Sequence, residues 1–311
     1  MIRSKRELVS PAGLKAAAAI REVSEDRELD FHTVAMRYAL ERFLARVFDA
    51  GPGGRVGSDM VTLKGGLTMF IAEGVDPLAG RATSDVDFHV VGAGAGLDDF
   101  LDFLRRALDR FPGGIDDGLR FDLGTLKVER VRDGNVPGGK VTVDCQLGKT
   151  PLHIRSDLGF DARPVHELAI PVEFPSILAG TGLPAFPVRR TPFAYTVADK
   201  LQAMVRHGAG NYRIRDYYDL YVILSREQAD LDQLPEAIRS TFDLYGSEIP
   251  GSADEIAALT DAFAESKAAR WEIERRSKNY GTAVPALSEV VRFIRERVDP
   301  ILRPGGPLPP F

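Results

Sequence analysis

The sequence predicts an α/β chain of the α+β kind, a mixed sheet with helices followed by a mostly helical lobe. Three observations predict it. Strand-like stretches joined by Gly-rich turns crowd between Met60 and Leu158, helical periodicity fills Thr196 to Ile301, and a Pro- and Gly-rich run from Ile170 to Pro192 separates the two. That run sets the expected domains at residues 1–190 and 191–311. A chain of 311 residues also exceeds what one core usually needs.

Taken in order, Phe31 to Asp49 carries Val34, Tyr38, Leu40, Phe43, Leu44 and Val47 at helical spacing, an amphipathic helix ended by Gly51-Pro52-Gly53-Gly54. Met60 to Gly66 reads as a short strand running into a glycine turn, and Leu67 to Ala72 as the start of a helix. From Thr83 to Val91, Asp85, Asp87 and His89 alternate with Val86, Phe88 and Val90, the period of a strand with one polar face. Leu97 to Phe111 is a further helix. Phe121 to Arg132, Lys140 to Leu147 and Leu152 to Leu158 are strands, joined by turns at Asp133-Gly134-Asn135, Pro137-Gly138-Gly139 and Gly148. Beyond the boundary, Thr196 to His207, Arg215 to Ser225, Ala253 to Arg276 and Ala286 to Ile301 read as helices, with Thr196 as the N-cap of the first. Four prolines in Arg303 to Phe311 describe a loose tail.

Composition bounds the function. Hydrophobic residues at 44% and charged residues at 27% are the balance of an ordinary globular protein. No apolar run approaches the roughly 20 residues that span a bilayer, and the basic start Met1 to Arg6 is followed by Glu7 instead of an apolar signal core. No membrane association is expected. Cys145 is the only cysteine, which excludes an intramolecular disulfide and a Cys-based zinc site and fits a reducing cytoplasm. A net charge of −5 argues against histone-like wrapping of nucleic acid but leaves room for a local basic patch.

The chemistry concentrates around Asp85-Val86-Asp87. Two carboxylates two residues apart on a strand point to one face, and such a pair is costly unless a cation neutralises it. Mg²⁺ suits it, with Mn²⁺ the alternative, since Mg²⁺ takes a few carboxylates together with substrate phosphate oxygens. Upstream, Lys64-Gly65-Gly66 lets backbone N–H groups approach a phosphate chain, and Arg81, Thr83 and Ser84 bring an arginine and two hydroxyls just before the acids. A glycine turn, a hydroxyl and an Asp-x-Asp strand in this order make up the phosphate cradle and metal site of the polymerase-beta-like nucleotidyltransferases. A third carboxylate, as base or ligand, has two candidates, Asp157 on Leu152 to Leu158 and Asp144 on the strand before it.

A second cluster joins two helices. Val197, Leu201, Met204 and Val205 form a buried stripe with Lys200 at its edge, and Asp216 and Asp219 stand three residues apart on the next helix. Lys200 can reach toward a triphosphate, or it can form an ion pair with Asp216 or Asp219 that fastens the helices.

Five segments, taken together, resemble the AbiEii/AbiGii toxin family of nucleotidyltransferases, which includes the MenT-like toxins. They are Leu63 to Thr68, Arg81 to Phe88, Ile154 to Phe160, Val197 to Met204 and Arg213 to Leu220, and Trp271 to Leu302 resembles the family's C-terminal helices. The resemblance implies a polymerase-beta-like core and a helical C-terminal lobe. It implies a toxin of a toxin–antitoxin or phage-defence operon that uses an NTP with Mg²⁺ and has a cognate antitoxin as partner. Some relatives add nucleotides to the 3′ end of tRNA, so tRNA or another RNA is the expected acceptor, with a protein, a small molecule or a non-catalytic binding role as alternatives.

Carried over residue by residue, Asp85 and Asp87 become the metal ligands. Asp85, Asp87, Asp157, Lys200 and Asp216 are the catalytic set, with Asp157 favoured over Asp144 by the resemblance. Lys64, Gly65, Gly66, Arg81, Thr83, Ser84 and Lys200 hold the nucleotide. The chain departs in having Asp199-Lys200 where Glu-Lys is common and Arg215-Asp216 where Lys-Asp is common, which keeps charge but alters phosphate geometry. The acceptor RNA would meet Arg206, Arg213, Arg275, Arg276 and Lys278, within a wider set of second-lobe cations that adds Arg189, Arg190 and Arg270.

Overall fold

The computed structural model describes residues 8–49, 60–71, 78, 83–90, 97–133, 136–160, 163–178, 182–226, 230–277 and 284–303. The candidates Arg81 and Lys278, the Gly51 to Gly54 turn and the tail beyond Arg303 lie outside them. The chain divides into two compact units, the first holding the described residues up to Arg190 except for Arg163–Leu168, the second holding those from Thr191 onward together with Arg163–Leu168.

In the first unit, α1 (Pro11–Asp26) begins with Pro11 behind the Ser10 cap, whose hydroxyl accepts from the Gly13 N–H. Helix α2 (Phe31–Phe48) is capped in the same way by Asp30 on Thr33. The strands are β1 (Val61–Lys64), β2 (Asp85–Val90), β3 (Leu119–Asp133), β4 (Val136–Leu147), β5 (Thr150–Gly159), β6 (Ile170–Phe174) and β7 (Phe186–Arg190), with α3 (Leu97–Leu108) between β2 and β3. Among the described residues they form one mixed sheet in the order β3-β4-β5-β2-β1-β7-β6. β2 runs antiparallel to β1 and parallel to β5, and β7 joins β1 in parallel. One face of the sheet buries Val61, Leu63, Val86, Phe88, Val143 and Ile154 in a core shared with α2 and α3.

Three expectations change here. Helix α2 is not a half-solvated amphipathic helix but is buried nearly throughout, Arg37, Glu41, Arg42 and Arg46 included. Buried charge is tolerated where it is paired and hydrogen-bonded. Arg46 grips Asp117 through both its Nη atoms, at 2.5 and 2.8 Å, and Glu41 takes Arg42 at 2.7 Å and the Ile177 N–H at 2.9 Å. The Ile170–Pro192 run, read as the boundary between the two parts, contains β6 and β7. Its Pro171 sits on β6, the sheet's edge, where a missing N–H costs no ladder bond. The turn after β1 is likewise a 3₁₀ helix, Gly65–Phe70, and not the start of an α-helix.

The second unit packs α4 (Phe193–His207), α5 (Ile214–Leu224), α6 (Leu234–Tyr245), α7 (Asp261–Ser277) and α8 (Leu287–Leu302). α4 lies on α6, α5 on α8, and α7 on α8. Leu201, Met204, Ile223, Phe242, Trp271 and Ile294 are fully buried between them, and the Trp271 indole N–H donates to Pro285 O at 3.0 Å. Thr196 is not the cap of α4. The helix begins at Phe193, three residues earlier, and the buried Asp230 carboxylate accepts the Phe193 N–H from another segment. The expected helix from Ala253 is two short 3₁₀ turns before α7, which starts behind the Thr260 hydroxyl that accepts the Phe263 N–H at 3.2 Å. No helix among the described residues is long and apolar enough to cross a membrane.

Candidate functional site

Because the side-chain period of a strand is two, the face opposite the core collects one polar residue from every second position. The register then lines them up across the strands. Asp87 on β2 lies between Lys64 on β1 and Asp157 on β5, and Asp157 lies beside Lys140 on β4. In the next row, Asp85 lies beside Arg155, and Arg155 beside Thr142. In the row after that, His153 lies beside Asp144. Asp85, Asp87 and Asp157 therefore share one face on two adjacent strands.

The contacts within this face are partly ionic. Arg155 Nε donates to Asp85 Oδ1 at 3.0 Å, with the two side chains 51% and 42% exposed. Ser84 Oγ lies 3.3 Å from the same oxygen, and the Thr83 hydroxyl donates to the Asp85 carbonyl at 3.3 Å. Asp157 stands 4.0 Å from Lys140 Nζ. Asp144, one strand further from Asp87, is held by His153 Nδ1 at 2.6 Å.

The glycine turn meets the acids directly. Gly65 adopts φ +71°, and a Cβ there would fall 2.0 Å from Asp87 Oδ2. Only glycine lets the backbone lie against that carboxylate without strain. Gly66 follows, buried in the 3₁₀ helix. Lys64 extends over the end of β5, where a Cβ on Gly159 would lie 3.0 Å from its Nζ.

These donors are all hard oxygens. Among the described residues no three His, Cys, Asp or Glu side chains converge as a ready-made metal cage. Two half-exposed carboxylates on one face suit a cation that completes its shell with waters and phosphate oxygens, as Mg²⁺ and Mn²⁺ do. Arg155 now supplies Asp85 with part of the positive charge that such a cation would bring.

The second cluster lies within the second unit. Lys200 Nζ donates to Asp216 Oδ1 at 2.6 Å and to Asp219 Oδ2 at 2.8 Å, and Arg213 Nε donates to Asp216 Oδ2 at 2.6 Å. Lys200, Asp216 and Asp219 side chains are 9%, 6% and 0% exposed. Burial alone would raise the Asp216 carboxyl, but the Lys200 ammonium and then the Arg213 guanidinium outweigh it and hold it below the usual carboxylate range. Neighbouring Asp199 binds the buried Arg163, which also donates to the Thr241 hydroxyl at 2.8 Å.

The basic candidates scatter. Arg206, Arg213 and Arg276 are exposed, while Arg275 folds back on Glu272 at 2.9 Å and on Val284 O at 3.0 Å. Arg189 and Arg190 belong to β7 in the first unit and not to the second lobe, and Arg190 is buried. Sequence reasoning missed Arg155 as a partner of Asp85. Its only signal was strand alternation with Asp157, and nothing local told which strand would lie beside it.

The profile of the family described as "Nucleotidyl transferase AbiEii toxin, Type IV TA system" matches residues 55–292. No curated protein matches the chain. Among solved structures, MenT4, a nucleotidyltransferase toxin from Mycobacterium tuberculosis, superposes with a TM-score of 0.54 at 16% identity, over 90% of this chain and 93% of that one. JHP933 from Helicobacter pylori gives a TM-score of 0.44 at 12% identity, over 93% of this chain and 90% of that one. The MenT4 likeness establishes a shared fold across both units, and the profile match spans the glycine turn, the acidic strand and the Lys200 helix in one run. On that match the chain belongs to the AbiEii nucleotidyltransferase toxin family.

Proposed function

We propose that this toxin moves a nucleoside monophosphate from an NTP onto an RNA, the 3′ end of tRNA above all, and so blocks translation and growth. The observation that carries this reading is the row of Asp87 and Asp157 beside Asp85, with the Gly65 backbone against Asp87. Asp85 and Asp87 are the residues to hold Mg²⁺, which when bound neutralises charge on the triphosphate. Lys64, the N–H groups of Gly65 and Gly66, and the Thr83 and Ser84 hydroxyls orient the phosphates. Arg81 joins them from the segment just before. Asp157, exposed and beside Asp87, accepts the proton of the attacking hydroxyl. Lys200 supplies positive charge to the transferring phosphates, and Asp216 and Asp219 hold its ammonium in place. Arg206, Arg213, Arg275, Arg276 and Lys278 meet the RNA backbone. In the cytoplasm a cognate antitoxin restrains the activity, as the toxin–antitoxin family implies.

The test is to incubate the purified protein with total tRNA, Mg²⁺ and each labelled NTP in turn. Label on tRNA, lost when the terminal nucleotides are removed, is the expected result. Label recovered only on protein or on a small molecule would move the acceptor to another class, and no label anywhere would leave a nucleotide- or partner-binding role.

A further inference from the structure

The connection between α4 and α5, with the helix ends that flank it, is a basic stretch of the second unit. Arg206-His-Gly-Ala-Gly-Asn-Tyr-Arg-Ile-Arg215 holds three arginines and one histidine and no carboxylate, in a chain whose net charge is −5. At its centre Tyr212 is 66% exposed. Its ring lies 5.8 Å from the His207 ring, tilted by 54°.

This exposure is built by the surrounding backbone. Asn211, immediately before it, is fully buried, its N–H donating to Gly208 O at 3.1 Å. The Asn211 side chain then clamps the turn from both ends, Oδ1 accepting the Arg213 N–H at 3.1 Å and Nδ2 lying 3.4 Å from the Tyr217 hydroxyl. Tyr217 is itself anchored to Ala258 O at 2.8 Å, and the Ile214 N–H closes on Tyr212 O at 2.9 Å. A buried asparagine with its N–H and both side-chain polar atoms engaged therefore presents an aromatic ring to water on a fixed backbone. A ring held in this way loses little entropy on contact.

The surrounding charge says what the ring would meet. Arg213 and Arg215 each give one N–H to a carboxylate, Asp216 and Glu274, yet their side chains remain 47% and 45% exposed. Arginines beside an exposed aromatic ring match a phosphate chain with unstacked bases, and single strands are bound by this pairing of cationic groove and stacking platform.

We propose that Tyr212, backed by His207, is a stacking platform for an unpaired base of a single-stranded RNA whose phosphates lie along Arg206, Arg213 and Arg215. The inference rests on the RNA-acceptor reading and names the element that grips the strand. Tyr212 positions the acceptor and takes no part in the chemistry.

Binding of a single-stranded RNA of about 10 nucleotides, a length within the span of such grooves, is measured for the wild type and for Y212A, Y212F and Y212W at several salt concentrations, alongside NTP binding. Y212A should weaken RNA binding by about five- to a hundredfold while Y212F and Y212W bind nearly as well as wild type. The log–log salt slope should be the same in Y212A as in wild type, because stacking releases no counterions, whereas R206A with R213A should lower it. Trp271 is buried and bonded, so added emission in Y212W reports the new ring and should be quenched by the RNA. Unchanged RNA affinity in Y212A with unquenched Y212W emission overturns the platform while leaving the RNA reading intact. A loss of NTP binding equal to the loss of RNA binding also overturns it, by assigning the ring to the nucleotide. A wild type that neither binds nor labels any RNA instead defeats the underlying reading, and the platform with it.

Discussion

The two acidic clusters are made of the same residue types and are built in opposite ways. On the sheet face of the first unit Asp85, Asp87 and Asp157 stand on adjacent strands, Asp157 exposed and Asp85 and Asp87 partly so. In the second unit Asp216 and Asp219 are buried around Lys200 at 2.6 and 2.8 Å. The first arrangement leaves its carboxylates partly in water and contributes little to stability, because exposed ion pairs such as Arg155–Asp85 are worth roughly 0–1 kcal/mol. The second is satisfied internally, and removing one member strands buried charge. The difference teaches that substitutions in the two clusters should separate activity from folding.

The largest effects should fall on the sheet face. D85N should lower transfer on the order of a thousandfold, and D157N by about 10²–10⁴, with melting temperatures within a few degrees of wild type. D144N, which with its partner His153 lies one row beyond Asp85, should stay within about twofold. A D144N variant as inactive as D157N would reverse the order of the two carboxylates.

In the buried cluster, K200M should cost about 3–5 kcal/mol in denaturant unfolding, since Asp216 and Asp219 lose their shared cation. The combined variant K200M/D216N/D219N removes all three charges and should recover most of that stability while transfer stays lost. Recovery of transfer with the fold would make Lys200 a fastener only.

A smaller effect belongs to the turn. G65A should destabilise by about 1 kcal/mol for its positive φ, and should reduce transfer by up to about a hundredfold by displacing Asp87. Full activity in a folded G65A would separate the turn from the acids.

The smallest effect is in pH. Asp216 has a depressed folded value, so its contribution is complete above the unfolded carboxyl value of about 3.9 and is lost as pH falls from there through the lower folded value. In an acid titration, wild type should lose more stability over that window than D216N. Equal loss in both would show that the carboxyl is not held low.

Part of this was legible in the sequence because it is local. The alternation of Asp85, Asp87 and His89 with Val86, Phe88 and Val90 is a period of two, and it gave the strand and the polar positions Asp85 and Asp87 directly, while His89 is buried. The pairing of β2 with β5 was not legible, because the register that sets Asp157 beside Asp87 joins segments about 70 residues apart. Arg155 was missed for the same reason. Helix α2 misled through its charges, which look like a solvent face until Asp117 and Ile177 are brought to them by the fold. Strand β6 was hidden behind Pro171, which the sheet's edge tolerates, and β7 behind Pro187, which pairs with β6 but lies outside the register of β7 with β1. The cap of α4 comes from Asp230, far along the chain, so the nearer Thr196 looked like the better signal.

The central claim is that Asp85 and Asp87 jointly form a metal–nucleotide site. Its most direct test is titration of Mn²⁺, with a non-hydrolysable NTP present, into wild type, D85N, D87N and D144N. The account predicts that D85N and D87N each lose the nucleotide-dependent Mn²⁺ signal while D144N keeps it. Wild-type Mn²⁺ binding in both D85N and D87N would contradict it.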